Sequence, residues 1–339
     1  MRFPNPLILF LLTSPYLAAQ TPPTPAVRAL PRTEFGHPDF QGNWSNRTQT
    51  PISRPGELGE QRTYTEQQAL AMEASARNDN QTKFQALDPD REAPEEGSSI
   101  RQEADQNFTD IRIDVLKVKG EYRTSMIVDP ADGQFPFLDG GRQKDIFAQW
   151  RAEGHDAADG PEIRSAAERC LSRGVPPMVV PPYNANYQIV QTRDYLMLFG
   201  EMVHDARIIR LDGEHQGGAL KTWLGDSIGH WEGDTLVVHS VNFRPEISHF
   251  RLTSSDQMEL TERFTLHNDK EIFYSFTVTD PQIYSQPFTE ELTLKRREPG
   301  EHLYEYACHE GNYSFAGILA GARRLEADAQ KQAPAYPEN

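Results

Sequence analysis

The residues best suited to acid–base chemistry are three histidines, His204, His230 and His309, each inside a dense polar segment. The densest is Glu201-Met-Val-His-Asp-Ala-Arg207, which reads as strand. Strand alternation sends Met202, His204, Ala206 and Ile208 to one face, and Glu201, Val203, Asp205, Arg207 and Ile209 to the other. His204 then shares a face with small and apolar residues, the interior face of a barrel. An imidazole there can act as general acid or base, because its pKa lies near working pH and burial moves it further. The competing reading is a core histidine bonded to a backbone carbonyl. Asp205 and Arg207, two apart on the opposite face, can pair with each other or hold a polar substituent of a ligand.

The second segment is Asp226-Ser-Ile-Gly-His230-Trp-Glu232. Gly229 leaves space for a ligand or for a neighbouring strand, and Trp231 offers a flat apolar wall with one donor. Glu232-Gly-Asp234 reads as a turn. The third segment, Cys308-His-Glu-Gly-Asn-Tyr313, sets His309 and Glu310 on a rim. Tyr183, Asn184 and Asn186, at the start of a predicted strand, can stack on a ring and hydrogen-bond a polar group, or simply form a loop-to-strand entry. No histidine pair has the i, i+4 helical spacing of a zinc protease, and there is no Cys-x-x-Cys knuckle. The expectation is therefore no cofactor and no metal, with zinc on converged His204, His230 and His309 as the alternative. Gly-x-Ser-x-Gly, P-loop and dinucleotide patterns are absent as well.

The elements that must position these residues are mostly strands. Residues 186–192, 195–203, 204–211, 228–232, 235–242, 259–267, 271–279, 288–296 and 302–308 read as strands joined by short turns, three of them explicit hairpins at 232–234, 268–270 and 298–301. A further hairpin is centred on 119–121. Helical patches fall at 67–77, behind the capping-box pattern Thr63-Tyr-Thr-Glu66, and at 142–153 and 161–171. Residues 78–105 read as a long surface loop. Even strand spacing without intervening helices predicts a mainly β domain, an antiparallel meander that closes into a barrel or packs as a two-layer sandwich. The opening Phe40-Gln-Gly-Asn-Trp44 resembles the Gly-x-Trp start of lipocalin-type barrels, in which the Trp closes one end.

The first residues have the layout of a secretory signal. Met-Arg is followed by an apolar run, Leu7 to Leu12, that ends near Ala18 and Ala19. The run is short for a bilayer span, which needs about 20 apolar residues; an N-terminal anchor is the other reading. The expected organisation is signal peptide 1–19, Pro-rich linker 20–38, one β-rich domain with helical insertions over 39–325, and a tail 326–339. A formal charge of −16 argues against nucleic acid, whose binders neutralise phosphate with Lys and Arg. The chain holds two cysteines, Cys170 and Cys308. In an exported chain a matched pair becomes a disulfide; a thiol activated by His309 is the alternative.

Six segments together resemble a large family of exported bacterial proteins that mostly carry no assigned activity. They are Gln134–Leu138, Glu168-Arg-Cys-Leu171, Pro182–Tyr187, Glu201–Ile209, Gly229-His-Trp-Glu-Gly-Asp-Thr-Leu-Val-Val238 and Tyr304-Glu-Tyr-Ala-Cys-His-Glu-Gly-Asn312. The resemblance implies export and fold more than a reaction. The functional expectation is a periplasmic or secreted enzyme, a lyase, isomerase or hydrolase. It would use His204, His230 and His309 on a small organic substrate in an aromatic-lined barrel cavity, without an organic cofactor or a membrane span. The alternative is a lipocalin-like carrier whose cavity holds an apolar molecule. Substrate and oligomeric state are not written in the sequence.

Overall fold

The computed structural model describes residues 29–83, 90, 113–174, 184–218, 220–248 and 252–332. The signal-like segment, most of the 78–105 loop and Tyr183 lie outside them. In chain order the strands are β1 (Gly42–Ser45), β2 (Thr63–Tyr64), β3 (Lys117–Val118), β4 (Glu121–Arg123), β5 (Ile127–Asp129), β6 (Asn186–Gln191), β7 (Tyr195–Gly200), β8 (Ala206–Leu211), β9 (Asp226–Glu232), β10 (Thr235–Val241), β11 (Glu259–Asn268), β12 (Glu271–Thr279) and β13 (Phe288–Arg296). The helices are α1 (Glu66–Lys83), α2 (Ile146–Ala152) and α3 (Tyr313–Gln332).

Nine strands close a barrel in the order β1-β6-β7-β8-β9-β10-β11-β12-β13, and β1 bonds back to β13. The sandwich reading falls. Eight of the neighbouring pairs are antiparallel, but β8 and β9 run parallel, joined by the loop 212–225, so the barrel is mixed rather than a pure meander. A parallel neighbour requires the chain to travel back along the barrel before it re-enters the sheet, and no two-residue turn does that. β5 joins the start of β13, next to the place where β1 joins its end, and β2, β3 and β4 form a small separate sheet.

Alternation explains why these residues make these strands. β12 reads strictly inward and outward, with Ile272, Tyr274, Phe276 and Val278 buried, and β11 answers with Leu260, Glu262, Phe264 and Leu266. Inward side chains fill the barrel: Tyr187, Leu198, Arg207, Ile209, Leu236, Val238, Leu260, Phe264, Tyr274, Phe276, Leu292 and Leu294 are all under 5 % exposed. Trp44 closes the ring at β1. Its indole Nε1 donates to the Phe40 carbonyl at 2.9 Å, and the Arg296 guanidinium sits 4.2 Å from its ring centre.

Three expected elements come out differently. Residues 302–308 form no strand, because both edges of β13 are already taken by β12 on one side and by β5 and β1 on the other. The segment instead runs back over β1: Arg297 N–H donates to the Asn43 carbonyl and the Asn43 amide to the Glu301 carbonyl. The patch at 161–171 is a short 3₁₀ turn followed by isolated turns. The helix cap at α1 is Thr65 with Gln68, which bond reciprocally at 2.9 and 3.2 Å, two residues beyond Thr63 and Glu66. Among the described residues no helix is long and apolar enough to cross a membrane.

Candidate functional site

The strand pattern through 195–211 breaks at Gly200. Residues Met202–His204 form a tight turn between β7 and β8, with Val203 at φ 61° and His204 at φ 47°. A β-branched residue in the left-handed region is an outlier that the surroundings must enforce. Gly200 N–H donates to the Asp205 carbonyl, and Glu201 N–H donates to the Asn186 carbonyl, which hold the turn from both sides. The turn changes the parity of the strand, which reverses the expected faces. Arg207 and Ile209 point inward, while Ala206 and Ile208 are exposed. His204 is exposed at the barrel rim and does not face the interior.

Two carboxylates flank it, Glu201 buried and Asp205 half-buried. Glu201, 3 % exposed, accepts from the Asn184 amide at 2.7 Å, the Asn186 amide at 3.1 Å and the Tyr304 N–H at 3.2 Å, with the Arg297 guanidinium at 3.9 Å. Asp205 accepts from the Arg173 N–H at 2.7 Å and the Ser172 hydroxyl at 3.0 Å. Burial pushes its carboxyl above the usual range, against the pull of those two hydrogen bonds and of the Arg173 and His204 charges. Asp205 does not pair with Arg207, because the turn sends them to different environments.

The disulfide ties the rest of the rim to this turn. Cys170 and Cys308 are bonded, with Cα atoms 5.8 Å apart, so neither is a thiol. They join two irregular segments rather than a helix and a last strand. Asn312 adds a hydrogen bond to the Glu168 carbonyl at 2.8 Å. His309 and Glu310 are exposed beside this bridge. The rim thus collects four segments distant in the chain, 168–173, 184–186, 201–205 and 304–312. It also holds four of the seven non-glycine residues with positive φ among the described residues: Cys170, Asn184, Val203 and His204.

Other expected residues lie elsewhere. β8 runs from the rim toward the far end of the barrel, and β9 continues parallel to it, which carries His230, Trp231 and Glu232 to that far end. His230 is exposed, 3.4 Å from Glu232. Trp231 stacks on His37 at 4.4 Å and on Phe40 at 5.6 Å, plugging that end. The three histidines therefore do not converge. A Cβ at Gly229 would lie 3.1 Å from Ile209 Cγ2 and from Leu211 Cδ2, so the glycine makes room for neighbouring side chains rather than for a ligand. Arg207 forms a bidentate pair with Glu262 inside the barrel, at 2.6 and 2.8 Å. The Tyr274 hydroxyl donates to the same carboxylate at 2.7 Å.

Among the described residues, no three His, Cys, Asp or Glu side chains surround a common metal position. Glu201, on the same expected face as Asp205 and Arg207, is a site residue that the sequence pattern alone does not single out. The available signal was Asn184, Asn186 and Glu201 as three polar residues near paired strand ends. No protein-family model matches the chain, and no curated protein matches it.

Proposed function

We propose that this is an exported enzyme of the family its motifs resemble, acting by acid–base chemistry on a small organic molecule at the disulfide-bonded rim. His204 is the group that moves the proton. The observation that supports this reading is the left-handed Val203-His204 turn, which displays an imidazole to solvent between two fixed carboxylates, the buried Glu201 and the half-buried Asp205. Backbone strain of this kind persists where the surroundings over-determine it and clusters at functional sites.

In this reading Glu201 positions Asn184 and Asn186 to hold a polar substituent of the substrate, as charge-assisted bonds to a buried carboxylate fix both amides. His309 and Glu310 border the same rim and supply a second proton-transfer group. The chemistry is a lyase, isomerase or hydrolase step, and the bridged cysteines fit an oxidising compartment. The filled barrel interior weighs against the carrier reading, which needs an apolar chamber there.

The test is turnover of a mixture of small carbonyl, ester and hydroxy compounds, followed by mass spectrometry, for the wild type and His204→Asn. Asparagine accepts the left-handed backbone. The variant should keep its melting temperature and lose about 10² to 10⁴ in rate. Unchanged activity per folded molecule, or no turnover by the wild type across the mixture, would contradict the reading.

A further inference from the structure

Away from the rim, on the outer wall of the barrel, two histidines in none of the motifs face each other. His215 lies in the loop between β8 and β9, and His239 lies on β10. His215 Nε2 and His239 Nδ1 are 2.9 Å apart. The far nitrogen of each ring meets a carboxylate: His215 Nδ1 is 3.0 Å from Asp226 Oδ2, and His239 Nε2 is 3.6 Å from Glu259 Oε2. Asp226 is itself anchored, accepting from the Gln216 N–H at 2.7 Å and pairing with Arg210 at 2.8 Å.

The arrangement dictates where the lone pairs point. A neutral imidazole carries one N–H, and a carboxylate accepts but cannot donate. His215 gives its single N–H to Asp226, so its Nε2 turns a lone pair toward His239 Nδ1 across 2.9 Å. The gap between the two nitrogens holds either the His239 Nδ1 proton or a metal ion. Histidines that bind metal characteristically donate their other N–H to a carboxylate, which sets the tautomer and aims the free nitrogen at the metal. Here His215 has that partner in Asp226, and Glu259 lies 3.6 Å from the far nitrogen of His239.

We propose that His215 Nε2 and His239 Nδ1 are the two protein ligands of a surface site for a borderline divalent transition metal such as zinc or copper(II). Asp226 orients the His215 ring, and water completes the shell. Two nitrogens bonded tetrahedrally at about 2.0 to 2.1 Å stand roughly 3.3 to 3.4 Å apart, so the rings need to separate by only about 0.4 Å. His215 is carried on a loop and His239 on a strand, so that small movement falls to the loop. The ligands are imidazole nitrogens, which suit zinc, copper and nickel over magnesium or calcium.

Isothermal titration of the chelator-treated full chain with zinc chloride, repeated with copper(II) and its electron paramagnetic resonance spectrum, tests this. The wild type should take up one equivalent at this site, with copper showing coupling to two imidazole nitrogens. His215→Gln and His239→Gln should each abolish that equivalent, and Asp226→Asn should weaken it about 10- to 100-fold. Circular dichroism and melting temperature verify that each variant is folded; if His215→Gln is not, His239→Gln, on a strand and part-exposed, decides. No saturable binding by the wild type would overturn the proposal. Binding undiminished in a folded His239→Gln variant would overturn it as well.

Discussion

The β11–β13 wall and the disulfide rim use the same kinds of residue for opposite purposes. In the wall a buried charge is neutralised: Arg207 and Glu262 bond through two hydrogen bonds, Tyr274 caps the carboxylate, and burial with the Glu262 charge holds that phenol protonated well above its usual range. At the rim the carboxylates of buried Glu201 and half-buried Asp205 are held mostly by neutral amides, a hydroxyl and backbone N–H groups. A histidine stands exposed between them. The wall has satisfied its electrostatics internally. The rim keeps carboxylates positioned chiefly by neutral donors, with Arg297 at 3.9 Å from Glu201, beside an exposed imidazole, an arrangement suited to proton transfer.

The strongest way to break this contrast is in the wall. Glu262→Ala leaves Arg207 charged and unpaired in the core and should cost about 3 to 5 kcal/mol. Arg207→Met combined with Glu262→Leu should cost much less, because an apolar pair of similar size removes both charges together. Chemical denaturation of the three proteins measures the difference. A double variant as unstable as Glu262→Ala would mean that the pair does more than neutralise itself.

At the rim the disulfide comes next. It closes a separation of 138 residues, and Cys170→Ser with Cys308→Ser should lower stability by about 2 to 4 kcal/mol. Hydrogen exchange should rise first in 168–173 and 302–312 and leave the β11–β13 amides protected until global unfolding. Uniform loss of protection would show that the rim and the wall unfold as one unit.

The smallest effect is the pH dependence of Asp205. Because its folded pKa is raised, the native state binds the proton more tightly than the unfolded chain does. Its contribution to stability is therefore intact below about pH 4, the ordinary carboxyl value, and declines as pH rises toward the folded value. Asp205→Asn removes that decline. Melting temperatures of the two proteins should diverge in favour of the variant as pH rises above about 4, and a difference independent of pH would contradict the assignment.

The wall was legible in the sequence and the rim was not, for a physical reason. β12 and β13 have the bounds 271–279 and 288–296 that alternation alone predicts, since each residue's environment in a filled barrel depends on parity. The 201–205 turn carries no glycine or asparagine, and its left-handed residues are Val203 and His204, so the alternation appears to run through it and the faces invert. Residues 302–308 alternate like a strand, yet whether they pair depends on a free sheet edge, which local pattern does not encode. α3 is not among the helices expected from the sequence, although its run is rich in the helix formers Ala, Leu and Arg. The parallel joint between β8 and β9 is set by the path of the loop 212–225, and nothing in the strands themselves announces it.

The central claim is that ligands meet this protein at the disulfide rim and not inside the barrel or at its Trp231 end. Soaking crystals of the protein with a library of small polar aromatic and carbonyl fragments locates the site directly. Fragments should cluster within hydrogen-bond reach of His204, Asn184 or His309. Fragments that enter the barrel among Leu260, Phe276 and Leu292, or that gather only around Trp231 and His37, would contradict it.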